Sequence, residues 1–165
     1  MYQIGEHVVY GAGKVCEVEE ITEMKVSNEK KLYYVLHPIH KANEKIYVPV
    51  KNEAKSMHKV ISKEDALTII DAIPDVEPLA VTNERMREQH YKDLMKEKDY
   101  YSLIKLIKSI HIRNEKRLAR GKKTTTTDAY YLSIARGAFE NELADALDLE
   151  TDEIRDFIDK RLQEQ

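Results

Sequence analysis

HVVYGAGKVCEVEEI, residues 7 to 21, sets two short runs of β-branched and aromatic residues on either side of a glycine-rich bend. Val, Ile and Tyr suit the pleated, half-buried surface of a strand, and Gly11 and Gly13 allow the tight reversal between the runs. The spacing predicts strands at His7 to Tyr10 and Val15 to Ile21. KLYYVLH (Lys31 to His37) and KIYVPV (Lys45 to Val50) read the same way, separated by polar stretches. Four such strands in so short a space must curl on themselves, which points to a small SH3-like or Tudor-like barrel. Pro49 fits an edge strand or a strand end, because it has no N–H to give a central ladder.

From Ser62 the period becomes helical. Ser62 and Asp65 resemble a capping box, and Ala66, Ile69 and Ile70 keep helical spacing up to Pro74. After a connector holding Pro78, Thr82 or Asn83 can cap a helix to about Lys98, with Met86, Tyr91, Leu94 and Met95 as its apolar positions. Asp99 then caps a helix that buries Leu103, Ile104, Leu106, Ile107 and Ile110 and ends near Gly121. KKTTTT reads as a loop. Thr127 or Asp128 would cap the next helix, through Tyr131, Ile134, Ala135, Ala138, Phe139 and Leu143, and Thr151 the last, carrying Ile154, Phe157, Ile158 and Leu162. The expected fold class is α+β in two domains, a strand domain over residues 1–60 and an all-helical domain over residues 61–165.

Composition narrows the function. The chain has 165 residues, 35% charged and 7% aromatic, without Trp. No apolar run approaches the ~20 residues that cross a bilayer, and Glu6 interrupts the place where a signal peptide would keep its apolar stretch, so an unexported protein with no membrane role is expected. Cys16 is the single cysteine, which excludes an internal disulfide and leaves it as a small strand residue. The net charge of −3 hides a segregation: residues 84–123 hold 13 Lys or Arg against 6 acids, and residues 124–165 hold 4 against 11. Such blocks neutralise each other inside a helical domain, or present a positive face to a polyanion.

Candidates for chemistry are few. GAGK (Gly11 to Lys14) lacks the spacing of a phosphate-binding loop and sits between two strands, so it is a hairpin bend. His37 and His40 flank Pro38, which prevents a helix from aiming both at one metal, and they read as surface residues. The tyrosine pairs Tyr33–Tyr34, Tyr100–Tyr101 and Tyr130–Tyr131 fit core and boundary positions. Neither a nucleophile with its base nor a cofactor or metal motif is present, so the expectation is a non-enzymatic protein.

MYQIGEHVVYGAGKVCEVEEI, KLYYVLHPI and KIYVPVKN, in that order, closely resemble the RNA polymerase interaction domain shared by CarD/CdnL-type transcription regulators and the transcription-repair coupling factor. The shared elements are G-[DE]-x-V-V-Y, a Gly-rich turn, V-x-x-I, an aromatic strand and a V-P strand. TNERMREQHYKDLMKEKDYYSLIKLIKSI and YYLSIARGAFENELADAL are similar to helices of the same regulators' C-terminal domain, while KKTTTT looks like an insertion. A coupling factor would carry a helicase motor, so the CarD-like side of the resemblance is favoured.

The resemblance implies a cytoplasmic, nucleoid-associated bacterial factor that acts as a monomer without a cofactor. Its barrel would dock on the RNA polymerase β subunit by strand-edge pairing, and its helical domain would reach promoter DNA at the upstream edge of the bubble and stabilise the open complex. The polymerase-facing positions carried over are Met24, Lys25, Ile46, Tyr47, Val48 and Pro49, with Tyr47 where some members have Arg. The DNA-facing ones are Glu84, Arg85, Met86, Arg87, Lys92, Lys96, Arg113, Lys116 and Arg117. Glu84 stands where many members place a Trp that wedges into the minor groove, a role a carboxylate cannot fill. The cations can bind phosphates without reading sequence, and Met86 or Tyr91 is the candidate replacement apolar contact. The alternative is an adaptor that binds polymerase without touching DNA.

Overall fold

The computed structural model describes residues 1–165, the side chain of Ala54 excepted. It divides into two compact units, Met1–Ile61 and Ser62–Gln165. In the first, β1 (His7–Tyr10), β2 (Lys14–Val26), β3 (Glu29–Pro38), β4 (Ile46–Pro49) and β5 (Met57–Lys59) form one antiparallel sheet in the order β4-β3-β2-β1-β5, with a single helical turn, α1 (Glu53–Ser56), leading into β5. The β1–β2 reversal passes through Gly11 at φ 61° and Gly13 at φ 113°, left-handed conformations that glycine adopts without strain.

The strand domain is as expected, but its barrel does not close. β4 pairs only with β3 and β5 only with β1. The two edge strands span four and three residues, and Pro49 has no N–H to donate, so neither edge offers a ladder long enough to meet the other. The β2–β3 arm is longer than its hydrophobic pattern indicated: the largely polar residues 22–26 and 29–30 stay paired, out to Val26 opposite Glu29. They turn through Ser27 at φ 50° and Asn28 at φ 67°, the paired left-handed conformation of a type I′ hairpin.

Val8, Cys16, Val18, Tyr34, Leu36, Val48 and Met57 form the core of this unit. The Tyr34 hydroxyl accepts from Tyr2 N–H at 2.9 Å and donates to Glu53. Burial, then the Glu53 bond, pushes its pKa up to about 12. Cys16 is fully buried, and burial pushes its thiol up to about 11, so it is packing rather than a nucleophile.

The second unit holds α2 (Lys63–Ala72), α3 (Arg87–Lys96), α4 (Tyr100–Ala119), α5 (Thr126–Ala146) and α6 (Ile154–Gln163). Ser62 caps α2 by accepting from Asp65 N–H, and Asp99 caps α4 by accepting from Tyr101 and Ser102 N–H. Asn83 accepts from Arg85 N–H and starts a 3₁₀ turn, Glu84–Met86, ahead of α3. Two caps differ from expectation. Thr125 accepts from Asp128 N–H, so α5 begins at Thr126 and Asp128 points inward instead of capping. Glu150, not Thr151, caps the last helical segment, through a reciprocal box with Glu153. Tyr91, Leu94, Leu106, Ile110, Tyr131 and Ala135 pack α3, α4 and α5 together. Among the described residues, no helix is long and apolar enough to cross a membrane.

Candidate functional site

Strand alternation sorts the residues of the first unit by face. Tyr47 lies opposite Val35 and Val35 opposite Glu20, Pro49 opposite Tyr33 and Tyr33 opposite Thr22, and Lys31 opposite Met24. Met24, Tyr47 and Pro49 therefore share one face. Lys25, Ile46 and Val48 share the other, where Val48 is buried and Ile46 packs on the core. Tyr47 is 51% exposed, and its strand has an unpaired side, so β4 offers a free main-chain edge flanked by an aromatic ring. Met24 and the exposed Lys25 are not beside β4: they lie on β2, with β3 between, on the arm that runs beyond the end of β4. The six positions thus form an edge and an arm rather than one patch.

In the helical unit, Glu84, Arg87, Tyr91, Asp128 and Arg113 close a ring of polar contacts. Arg87 donates twice to Glu84, Nε to Oε2 at 2.8 Å and Nη2 to Oε1 at 2.8 Å, and Arg113 Nη1 donates to the same Oε2 at 2.9 Å. Behind them, Arg87 Nη1 donates to the Tyr91 hydroxyl at 3.3 Å, and that hydroxyl donates to Asp128 Oδ1 at 2.8 Å. Arg113 Nε lies 3.1 Å from Asp128 Oδ2, off the hydrogen-bond direction, so this last link is a charge pair and Oδ2 accepts no hydrogen bond. Asp128 and Tyr91 are buried, whereas the Glu84 side chain is 67% exposed.

Burial works against the Arg87 charge, but its bonds to Glu84 and Tyr91 outweigh it and hold the guanidinium above its ordinary pKa. Burial, then the Asp128 bond, pushes Tyr91 up to about 12 against the opposing pull of Arg87. Tyr100, half-buried and donating to Glu142 at 2.8 Å, is also raised, by burial first and then by that bond.

The DNA-facing candidates therefore divide. Arg87 and Arg113 are half-buried and internally paired. Arg85, Lys92, Lys96 and Lys116 are exposed and make no ion pair among the described residues. Arg117 turns its Nε onto the Lys123 carbonyl at 2.8 Å, and Lys108 donates to the carbonyls of Ile73 and Val76 at the end of α2. Met86 is 45% exposed, contrary to its expected place in the core: five residues before Tyr91, it falls off the stripe that Tyr91, Leu94 and Met95 share. Tyr91, fully buried, is excluded as an apolar contact to DNA.

Asp128 is what sequence reasoning missed. Its partners are 15 and 37 positions away, and the local signal, Thr125 followed by an acid three residues later, marks only a helix start. His37 is half-buried, its Nδ1 3.2 Å from the Glu44 carbonyl, and among the described residues no group of His, Cys, Asp or Glu is arranged to hold a metal.

No curated protein matches this chain. Residues 2–61 match the family described as the CarD-like/TRCF RID domain, a span that ends with the last residue of the first compact unit. A domain of this kind is a protein-interaction module, and it ties the chain to RNA polymerase and to transcription. The glycine turn, the V-P edge strand and the family match agree, and the first unit of this chain belongs to the CarD-like RNA polymerase interaction domains.

Proposed function

We propose that this chain is a non-enzymatic transcription regulator that grips the RNA polymerase β subunit with its first unit and promoter DNA with its helical unit, stabilising the open complex. The observation that carries the reading is the free β4 edge with the exposed Tyr47, inside the span that matches the polymerase interaction domain. An unpaired strand edge takes a partner strand through main-chain hydrogen bonds, with alternate side chains setting specificity. The exposed Arg85, Lys92, Lys96 and Lys116 supply phosphate contacts, and Met86 the one apolar side chain exposed at the start of this helical segment.

A second reading, an adaptor that touches only protein, is favoured by the internal pairing of Arg87 and Arg113 with Glu84. Open-complex lifetime under competitor challenge separates the two. The regulator lengthens it, and Arg85→Glu together with Lys92→Glu removes the gain while polymerase binding persists. An adaptor leaves the lifetime insensitive to those charges.

A further inference from the structure

We propose that Arg87 and Arg113 form a site for a phosphate group, and that Glu84 occupies it as an internal competitor. The proposal rests on the DNA-binding reading only for the identity of its macromolecular ligand, a backbone phosphodiester. Two guanidinium groups from different helices converge on one carboxylate oxygen, Glu84 Oε2, at 2.8 and 2.9 Å, and Arg87 adds a second bond to Oε1. Paired guanidinium forks of this kind suit planar carboxylates and tetrahedral phosphates alike.

Both arginines are held from behind. Tyr91, with no exposed surface, accepts from Arg87, and Asp128, 1% exposed, pairs with Arg113. Their side chains are 17% and 21% exposed, so the cradle persists whether or not Glu84 is in it. Glu84 differs from its partners: it is 67% exposed and sits on a single 3₁₀ turn ahead of α3, where a change of side-chain rotamer releases it into water without opening the core. Charge follows the same logic. Two arginines balance Glu84 and Asp128, and once Glu84 swings out the cluster carries one net positive charge beside a vacated, donor-lined position.

The test uses the full chain and Glu84→Gln, with inorganic phosphate and a short random-sequence duplex as probes. Phosphate should shift the Arg87 and Arg113 Nε–Hε NMR signals saturably in Glu84→Gln, and only at much higher concentration in the unaltered protein. Duplex binding by the variant should gain ~0.9 in the slope of log affinity against log salt, about a 3.5-fold larger loss between 50 and 200 mM salt. Arginine signals that stay still in Glu84→Gln overturn the site, even if the slope changes, because that change would then be general electrostatics. Shifted signals with an unchanged slope uphold the phosphate site and instead refute DNA as its ligand. A thermal melt of the variant close to the unaltered one confirms that the fold is preserved.

Discussion

Asp128→Ala should be the most damaging single change in the helical unit, because it strips the buried end of the polar ring. Asp128 is 1% exposed, pairs with Arg113 and accepts the Tyr91 hydroxyl proton at 2.8 Å. Removing one partner of a buried pair costs ~3–5 kcal/mol, since the other charge stays desolvated. Arg113 is 21% exposed, so water recovers part of that, while the Tyr91 hydroxyl loses its acceptor in a site with no solvent. The lower end, about 3 kcal/mol, is the working figure, and at roughly 4 °C per kcal/mol for a domain of ~100 residues it lowers Tm by about 12 °C. Asp128→Asn keeps an acceptor for Tyr91 and should cost less than Asp128→Ala. Glu84→Ala, at the exposed end of the same ring, should cost no more than ~1 kcal/mol. Thermal and urea unfolding followed by circular dichroism reads all three. If Asp128→Ala lowers Tm by less than about 4 °C, or no more than Glu84→Ala does, the ring is not the device that joins α3, α4 and α5.

Alkaline stability follows the buried phenols: Tyr34 and Tyr91 are raised to about 12, so their contribution is whole below pH 10 and is lost as pH rises toward 12, with the unfolded chain ionising first. Absorbance at 295 nm should show these phenols titrating together with unfolding rather than before it. Reversing Arg85 and Lys92 to Glu should flatten the salt dependence of duplex binding by ~1.8, at ~0.9 per phosphate contact, and an unchanged slope would place the DNA contacts elsewhere. Thr125→Ala should destabilise the helical unit by ~1 kcal/mol through loss of the α5 cap, whereas Thr127→Ala should have a much smaller effect.

The apolar pattern made the architecture legible where burial dictates residue type. β1, the inner part of β2, β3 and β4 follow Val8, Val18, Tyr34, Leu36 and Val48, and the caps at Ser62 and Asp99 follow from a side chain bonding a backbone N–H two or three residues away. Features set by pairing alone stayed hidden. The β2–β3 arm beyond Ile21 is built from TEMKV and EKK, whose stability comes from main-chain bonds and the Ser27–Asn28 turn rather than a buried face. β5 is three residues long and exists because β1 lies beside it. The basic block showed its charge but not all its commitments: Arg87 pairs with Glu84 only three residues away, but Arg113 is spent on Glu84 and Asp128, 29 and 15 positions distant, a tertiary fact without a local period.

The most direct test of the account is the affinity of the full chain for RNA polymerase, measured for the unaltered protein and for Tyr47→Glu. An exposed β4 edge that docks on the β subunit predicts specific binding, weakened about tenfold or more when a carboxylate replaces a ring at the centre of the contact, a loss of ~1.4 kcal/mol or greater. Binding that persists unchanged in Tyr47→Glu would move the contact away from β4, and an unaltered protein that does not bind polymerase at all would contradict the central claim.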